Sequence, residues 1–169
     1  FDNLNKSQKA IECFEKAIKI FPGFSEAKWN LHGNASNINE ALTILKEINN
    51  TDNKHIKSKI MVSALEGYKG NFNEFNNLLK STEANHEYVR SIKWIFSLPK
   101  LPKIFFNRWD FFDFAISLSE NSRPFYEFGV RFGNSFKYLI KIFKKGFGFD
   151  TFTGIPKKWH DSMPEGAYS

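Results

Sequence analysis

The sequence predicts a stack of α-helices, an α-helical solenoid, followed by the start of an α/β domain with a parallel sheet. Three observations carry this. Over residues 1–98, apolar residues recur at helical spacing between short polar turns. From Arg123 to Asp150 the pattern is strand, glycine turn, helix, strand. Of 20 phenylalanines, 7 lie in residues 1–98 and 13 in residues 99–169, a composition shift that sets a boundary near Pro99–Pro102. Three segments follow: helical repeats (1–98), a linker with an aromatic helix (99–122), and the opening of the α/β domain (123–169).

The first helix is expected over Ser7–Phe21. Ala10, Ile11, Phe14, Ala17, Ile18 and Phe21 form one apolar stripe, with Ser7 as cap and Pro22 just past the end. Cys13 sits among these positions and reads as a small core residue. As the only cysteine, it excludes an internal disulfide framework. Further helices are expected over Ser25–Ala35, Asn39–Ile48, Lys54–Tyr68, Asn73–Leu79 and Glu87–Leu98. The turns between them carry Asn, Ser and Gly, which tolerate turn geometry. Ala10, Phe14, Ala17 and Pro22 resemble the second helix of a tetratricopeptide (TPR) repeat. Ala41 follows Ala10 by 31 residues and Phe75 follows Ala41 by 34, close to the period of that repeat. In the second unit Leu31 fits, whereas Trp29 is one position late and His32 replaces a glycine. Such repeats bury their apolar faces only by stacking. They would act as a spacer or as a groove for a protein partner, and no residue set specifies which.

Leu98–Asn107 holds Pro99 and Pro102 and should be extended. Its second half is too apolar for a free linker and is expected to pack on the following domain. Arg108–Ser119 reads as a helix covering one side of a sheet. It lacks the lysine-rich polar face of a membrane-surface helix.

The net charge of +6 is diffuse, with Lys144–Lys145 and Lys157–Lys158 as the only basic pairs singled out. It does not predict nucleic-acid binding. No apolar run approaches the ~20 residues that span a bilayer. A cytoplasmic location is expected. The N-x-S/T matches at Asn5, Asn34 and Asn49 carry no weight without a secretory signal. His32, His55 and His86 show no metal-ligand spacing.

Pro124–Val130 is apolar enough for a buried parallel strand. Gly129 and Gly133 flank the turn after it, and a strand-end glycine lets a ligand approach the backbone. Gly133-Asn134-Ser135 opens a helix over Ser135–Lys144, with Tyr138, Leu139, Ile142 and Phe143 inward. The free N–H groups at its start suit polar or anionic atoms. Gly146–Phe152 is the second strand. Asp150, 21 residues after Gly129, stands where an acid accepts ribose hydroxyls. Arg131 replaces the middle glycine of a dinucleotide fingerprint. Glu127, two residues before Gly129, suits a cofactor with a positive amino group better than a pyrophosphate. S-adenosylmethionine has such an amino group and no phosphate.

Glu127-Phe-Gly129-Val-Arg-Phe-Gly133-Asn-Ser135 resembles motif I of the class I S-adenosylmethionine-dependent methyltransferases, a Rossmann-like fold. Gly148-Phe-Asp150-Thr-Phe152-Thr-Gly154-Ile-Pro156, with Trp159 and Pro164–Ser169, resembles the macrocin O-methyltransferase (TylF-type) branch. The resemblance implies S-adenosyl-L-methionine as cofactor and O-methylation of a small-molecule or sugar hydroxyl. It assigns Glu127 to the methionine amino group, Gly129, Gly133 and Ser135 to the cofactor turn, and Asp150 to the ribose. It also implies a divalent metal, for which this chain offers no ligand. His160 beside Trp159 is weighed as a base, but a loop histidine is more simply explained as solvated. The chain is read as a fragment, inactive alone, of a longer methyltransferase. The alternative is a non-enzymatic repeat scaffold with a vestigial Rossmann-like segment.

Overall fold

A computed structural model describes residues 2–158 and 164–167, with side chains described from residue 8 onward. The described chain is mostly helical with a two-stranded parallel sheet. Its elements are α1 (Asp2–Ile20), α2 (Ser25–His32), α3 (Ile38–Thr51), α4 (Ile56–Tyr68), α5 (Asn73–Leu78), a 3-10 turn (Thr82–Asn85), α6 (Glu87–Phe96), α7 (Arg108–Ser117), β1 (Phe125–Phe128), α8 (Asn134–Phe143) and β2 (Gly146–Phe149). Two compact units divide the chain, Phe1–Phe111 and Phe112–Ser169. The division falls within α7, while the composition shift lies at Pro99–Pro102.

In the first unit each helix from α1 to α5 packs on its sequence neighbour, and α6 packs back on α4. Two apolar clusters result. One gathers Ala41, Leu42, Leu45 and Ile48 of α3 with Val62 and Leu65 of α4. The other gathers Ile60, Phe75 and Val89. Ala41 and Phe75, the residues that set the sequence period, are both buried. Local chemistry starts α3. Asn37 caps α3 by accepting the Glu40 N–H at 3.0 Å, while the Glu40 carboxylate accepts the Ser36 N–H at 2.9 Å. The Ser36 hydroxyl, which also donates to that carboxylate, and the Ser36 N–H hold the Glu40 carboxyl below the usual carboxylate range.

Three expectations are corrected here. α1 runs from Asp2, so Ser7 lies inside it and does not cap it. Cys13 is exposed. The half-buried face of α1 is Ala10, Ile11, Phe14, Ala17 and Ile18, and Cys13 falls outside it, on the exposed flank with Lys9 and Lys16. Finally, the apolar end of the linker finds its partner in the helices before it. Ile104 and Phe106 pack against the cluster around Leu45.

In the second unit β1 and β2 pair in parallel, with Phe125 opposite Gly146 and Phe128 opposite Phe149. α8 packs on both strands. On its side of the sheet, the Phe125 ring lies 5.0 Å from Phe136 and 5.6 Å from Phe143. Gly146 and Gly148 face the same way, leaving room for those rings. A Cβ at Gly148 would meet Val130 Cγ2 at 2.8 Å. The other face carries stacked, exposed aromatics, Tyr126 on Phe147 at 5.4 Å and Phe128 on Phe149 at 5.0 Å. Strict alternation in Gly-Phe-Gly-Phe thus places glycine under the helix and phenylalanine outside. The strands are shorter than Pro124–Val130 and Gly146–Phe152, because both chains turn away once Gly129 N–H has bonded Phe149 O at 2.8 Å. Tyr138 of α8 turns towards α7, stacking on Phe112 at 6.4 Å and donating its hydroxyl to Asp113.

Candidate functional site

Parallel pairing brings the C-terminal ends of β1 and β2 to one rim. Across it, Gly129 follows β1 and Asp150 follows β2. The connecting loop needs glycine at both ends. Gly129 has φ +89° and Gly133 has φ +68°, both in the left-handed region. Gly133 is the N-cap of α8 and supplies no side-chain cap. Nothing lies within 4 Å of a Cβ built on Gly129, so the backbone there is open to an approaching group.

Glu127 is half-buried on β1. Its Oε1 accepts the hydroxyl of Ser135, in the first turn of α8. Its Oε2 is buried and has no hydrogen-bond partner. A buried carboxylate oxygen without a donor is costly. A cationic donor would complete it.

Asp150 is placed differently. Its Oδ2 accepts the Arg131 N–H at 2.6 Å and its Oδ1 accepts the Phe152 N–H at 3.1 Å. The Arg131 and Phe152 amides together hold its carboxyl below the usual carboxylate range. The bond also secures Arg131 at φ +48°, a conformation uncommon for any residue but glycine. Each carboxylate oxygen offers two lone pairs, so Asp150 keeps acceptor capacity for a further ligand. Asp150, Gly129, Arg131, Thr151, Gly154 and Pro156 line an open hollow of about 440 Å³.

The proposed residues therefore form two groups on one rim. Gly129 and Asp150 share the hollow. Glu127 and Ser135 form a separate pair, and neither lines it. Gly133 joins them as the cap of α8. Sequence reasoning missed Arg131 as the backbone donor that organises the loop. It also missed the wall opposite. There Thr151 donates its hydroxyl to Gly154 O at 2.8 Å, and Ile155 pairs with the 164–167 segment through Ile155 N–H to Ala167 O and Gly166 N–H to Ile155 O, both 2.9 Å. The second glycine-containing turn at Gly154, φ +84°, was the available signal.

Trp159 and His160 lie outside the described residues. Among the described residues no group of three or more His, Cys, Asp or Glu could hold a metal ion. Nor does any helix there have the length and apolarity to cross a membrane. Compared with known proteins, the chain matches no family model, no curated protein and no solved structure.

Proposed function

We propose that the rim formed by β1, β2 and the start of α8 is the cofactor edge of an S-adenosylmethionine-dependent methyltransferase that acts on a small-molecule or sugar hydroxyl. The carrying observation is Glu127 Oε2, buried and without a donor beside an open glycine turn. The methionine amino group is a cation with three donors, and Glu127 would hold it, with Ser135 fixing the carboxylate's orientation. Asp150 would accept the ribose hydroxyls, and Gly129 would let the ligand lie against the backbone. When bound, the cofactor supplies an electrophilic methyl on sulfonium. The finer architecture proposed with this is a tetratricopeptide-like solenoid leading into a Rossmann-like domain. The pairwise packing of α1 to α5 and the parallel β1–α8–β2 unit support it.

A second reading is a helical scaffold carrying a non-catalytic Rossmann-like segment. The observation favouring it is Asp150, whose two oxygens both serve backbone N–H groups. A strand-end acid can play that part with no ligand present.

Nuclear magnetic resonance of the ¹⁵N-labelled chain titrated with S-adenosylhomocysteine separates the two. Cofactor binding should shift the Gly129, Arg131, Gly133 and Asp150 amides. Glu127→Gln should weaken that binding by roughly tenfold or more, the worth of a charge-assisted hydrogen bond. Because resonance shifts report even millimolar affinity, unmoved amides at saturating ligand would favour the scaffold.

A further inference from the structure

The segment between α6 and α7 contains neither helix nor strand, yet it is half-buried at Leu101 and from Ile104 to Asn107. Its side chains divide by alternation. Ile104 and Phe106 pack on the apolar cluster of α3 and α4. Lys103 and Phe105 meet each other, with Lys103 Nζ 4.9 Å from the Phe105 ring, and Phe105 lies 5.7 Å from Phe111. Period-two alternation is that of an extended chain laid on a surface, with one set of side chains on the α3–α4 cluster and the other meeting Phe111. Pro99 and Pro102 remove two backbone donors and stiffen the approach, so anchoring falls to the side chains.

The segment does not fill the groove it lies in. A hollow of about 690 Å³ lies between Lys103–Phe106 and the α2–α3 turn with Tyr68. Another, of about 410 Å³, lies between the same residues and Met61, Leu65, Ile92 and Phe96 of α4 and α6. An occupant with more apolar bulk would bury surface that the segment leaves open.

We propose that Leu101–Phe106 is a displaceable strap. It occupies in cis a groove of the helical unit that binds an extended peptide carrying an aliphatic and an aromatic anchor two residues apart. The strap's own Ile104 and Phe106 define the chemistry of that partner. Tethering gives the strap an effective concentration of roughly millimolar, so it holds off a free peptide of equal intrinsic affinity. A partner whose side chains reach into the two hollows would displace it.

The test uses a fluorescein-labelled peptide of residues 99–107, PKLPKIFFN, titrated into the 169-residue chain and into the double variant Ile104→Ser, Phe106→Ser. The variant should bind the peptide at least about tenfold more tightly than the unaltered chain, because the cis competitor is gone. A peptide carrying the same two serines should bind neither. Equal affinity for both chains, or binding of the serine peptide, overturns the proposal. A measurement on the unaltered chain covers the case in which the variant loses its fold. At saturating peptide, the ¹³C-methyl resonance of Ile104 should move to its detached position, and an unmoved resonance overturns the proposal equally.

Discussion

Asp150 accepts the backbone N–H of Arg131 at 2.6 Å across 19 residues of chain. That bond joins the end of β2 to the turn after β1 and holds the one non-glycine residue of that turn that lies at positive φ. The strand-end acid is thus a loop fastener whatever else it binds. Asp150→Ala should raise amide hydrogen exchange at Arg131 and Phe152 while leaving α8 and the helical unit unchanged. Asp150→Asn should preserve much of the protection, since an amide oxygen still accepts. Unaltered exchange at Arg131 in Asp150→Ala would show that the turn holds itself.

The same bond sets a pH dependence. The folded carboxyl of Asp150 titrates below its ordinary value of 3.8, so its contribution to loop order is complete above that value. It is lost as pH falls through the lower folded pKa. The Arg131 amide resonance should therefore titrate below pH 3.8. A midpoint above 3.8 contradicts the hydrogen bond.

His32 gives a second dependence, in the helical unit. Burial lowers its pKa below 6.5, opposed by its bond to Trp29 O and reinforced by neighbouring His55. The folded chain then binds fewer protons than the unfolded chain. Stability at His32 is full above pH 6.5 and declines as pH falls towards the folded pKa. The melting temperature of the helical unit should drop between pH 8 and pH 5.5, and His32→Gln should flatten the decline. An equal slope in the variant would move the effect elsewhere.

Gly133→Ala should destabilise the second unit by about 1–2 kcal/mol, the cost of a Cβ in left-handed conformation. Space is not the cause, since the nearest atom to the new Cβ is Val130 Cγ1 at 3.8 Å. Gly133→Asn should cost less, because asparagine tolerates that conformation better. Denaturant melts followed at Tyr138 would compare the two, and equal losses would rule out backbone strain.

Gly148→Val tests the opposite cause. Gly148 has no positive φ, but its Cβ would lie 2.8 Å from Val130 Cγ2 and 3.2 Å from the Phe136 ring. Overpacking of this kind costs roughly 1–3 kcal/mol. Val130→Ala should recover part of the loss by making room, and a double variant as unstable as the sum of both would refute the clash.

Much of the local structure is legible in the sequence. The apolar spacing of Ala10, Phe14 and Ala17 marks α1, and a helix expected from Asn39 finds α3 one residue earlier. Gly129 and Gly133 mark the turn between β1 and α8 because few other residues take those backbone angles. Boundaries are less legible. Ser7 has capping chemistry, yet α1 continues past it to Asp2. Cys13 lies near apolar residues in sequence but just outside the half-buried face, and only the packing partner decides where that face ends.

Helical period, strand alternation and glycine turns act over a few residues, so they fix the order and type of the helices and strands. Tertiary structure decided the partners. It placed Ser135 on Glu127 and left Oε2 without a donor, it engaged Asp150 with Arg131, and it docked Ile104 and Phe106 on the preceding helices rather than on the domain after them. These contacts join residues distant in sequence, and burial of a carboxylate oxygen or of an apolar strap depends on which surfaces meet. Periodicity carries no record of that choice; the free energy of packing makes it.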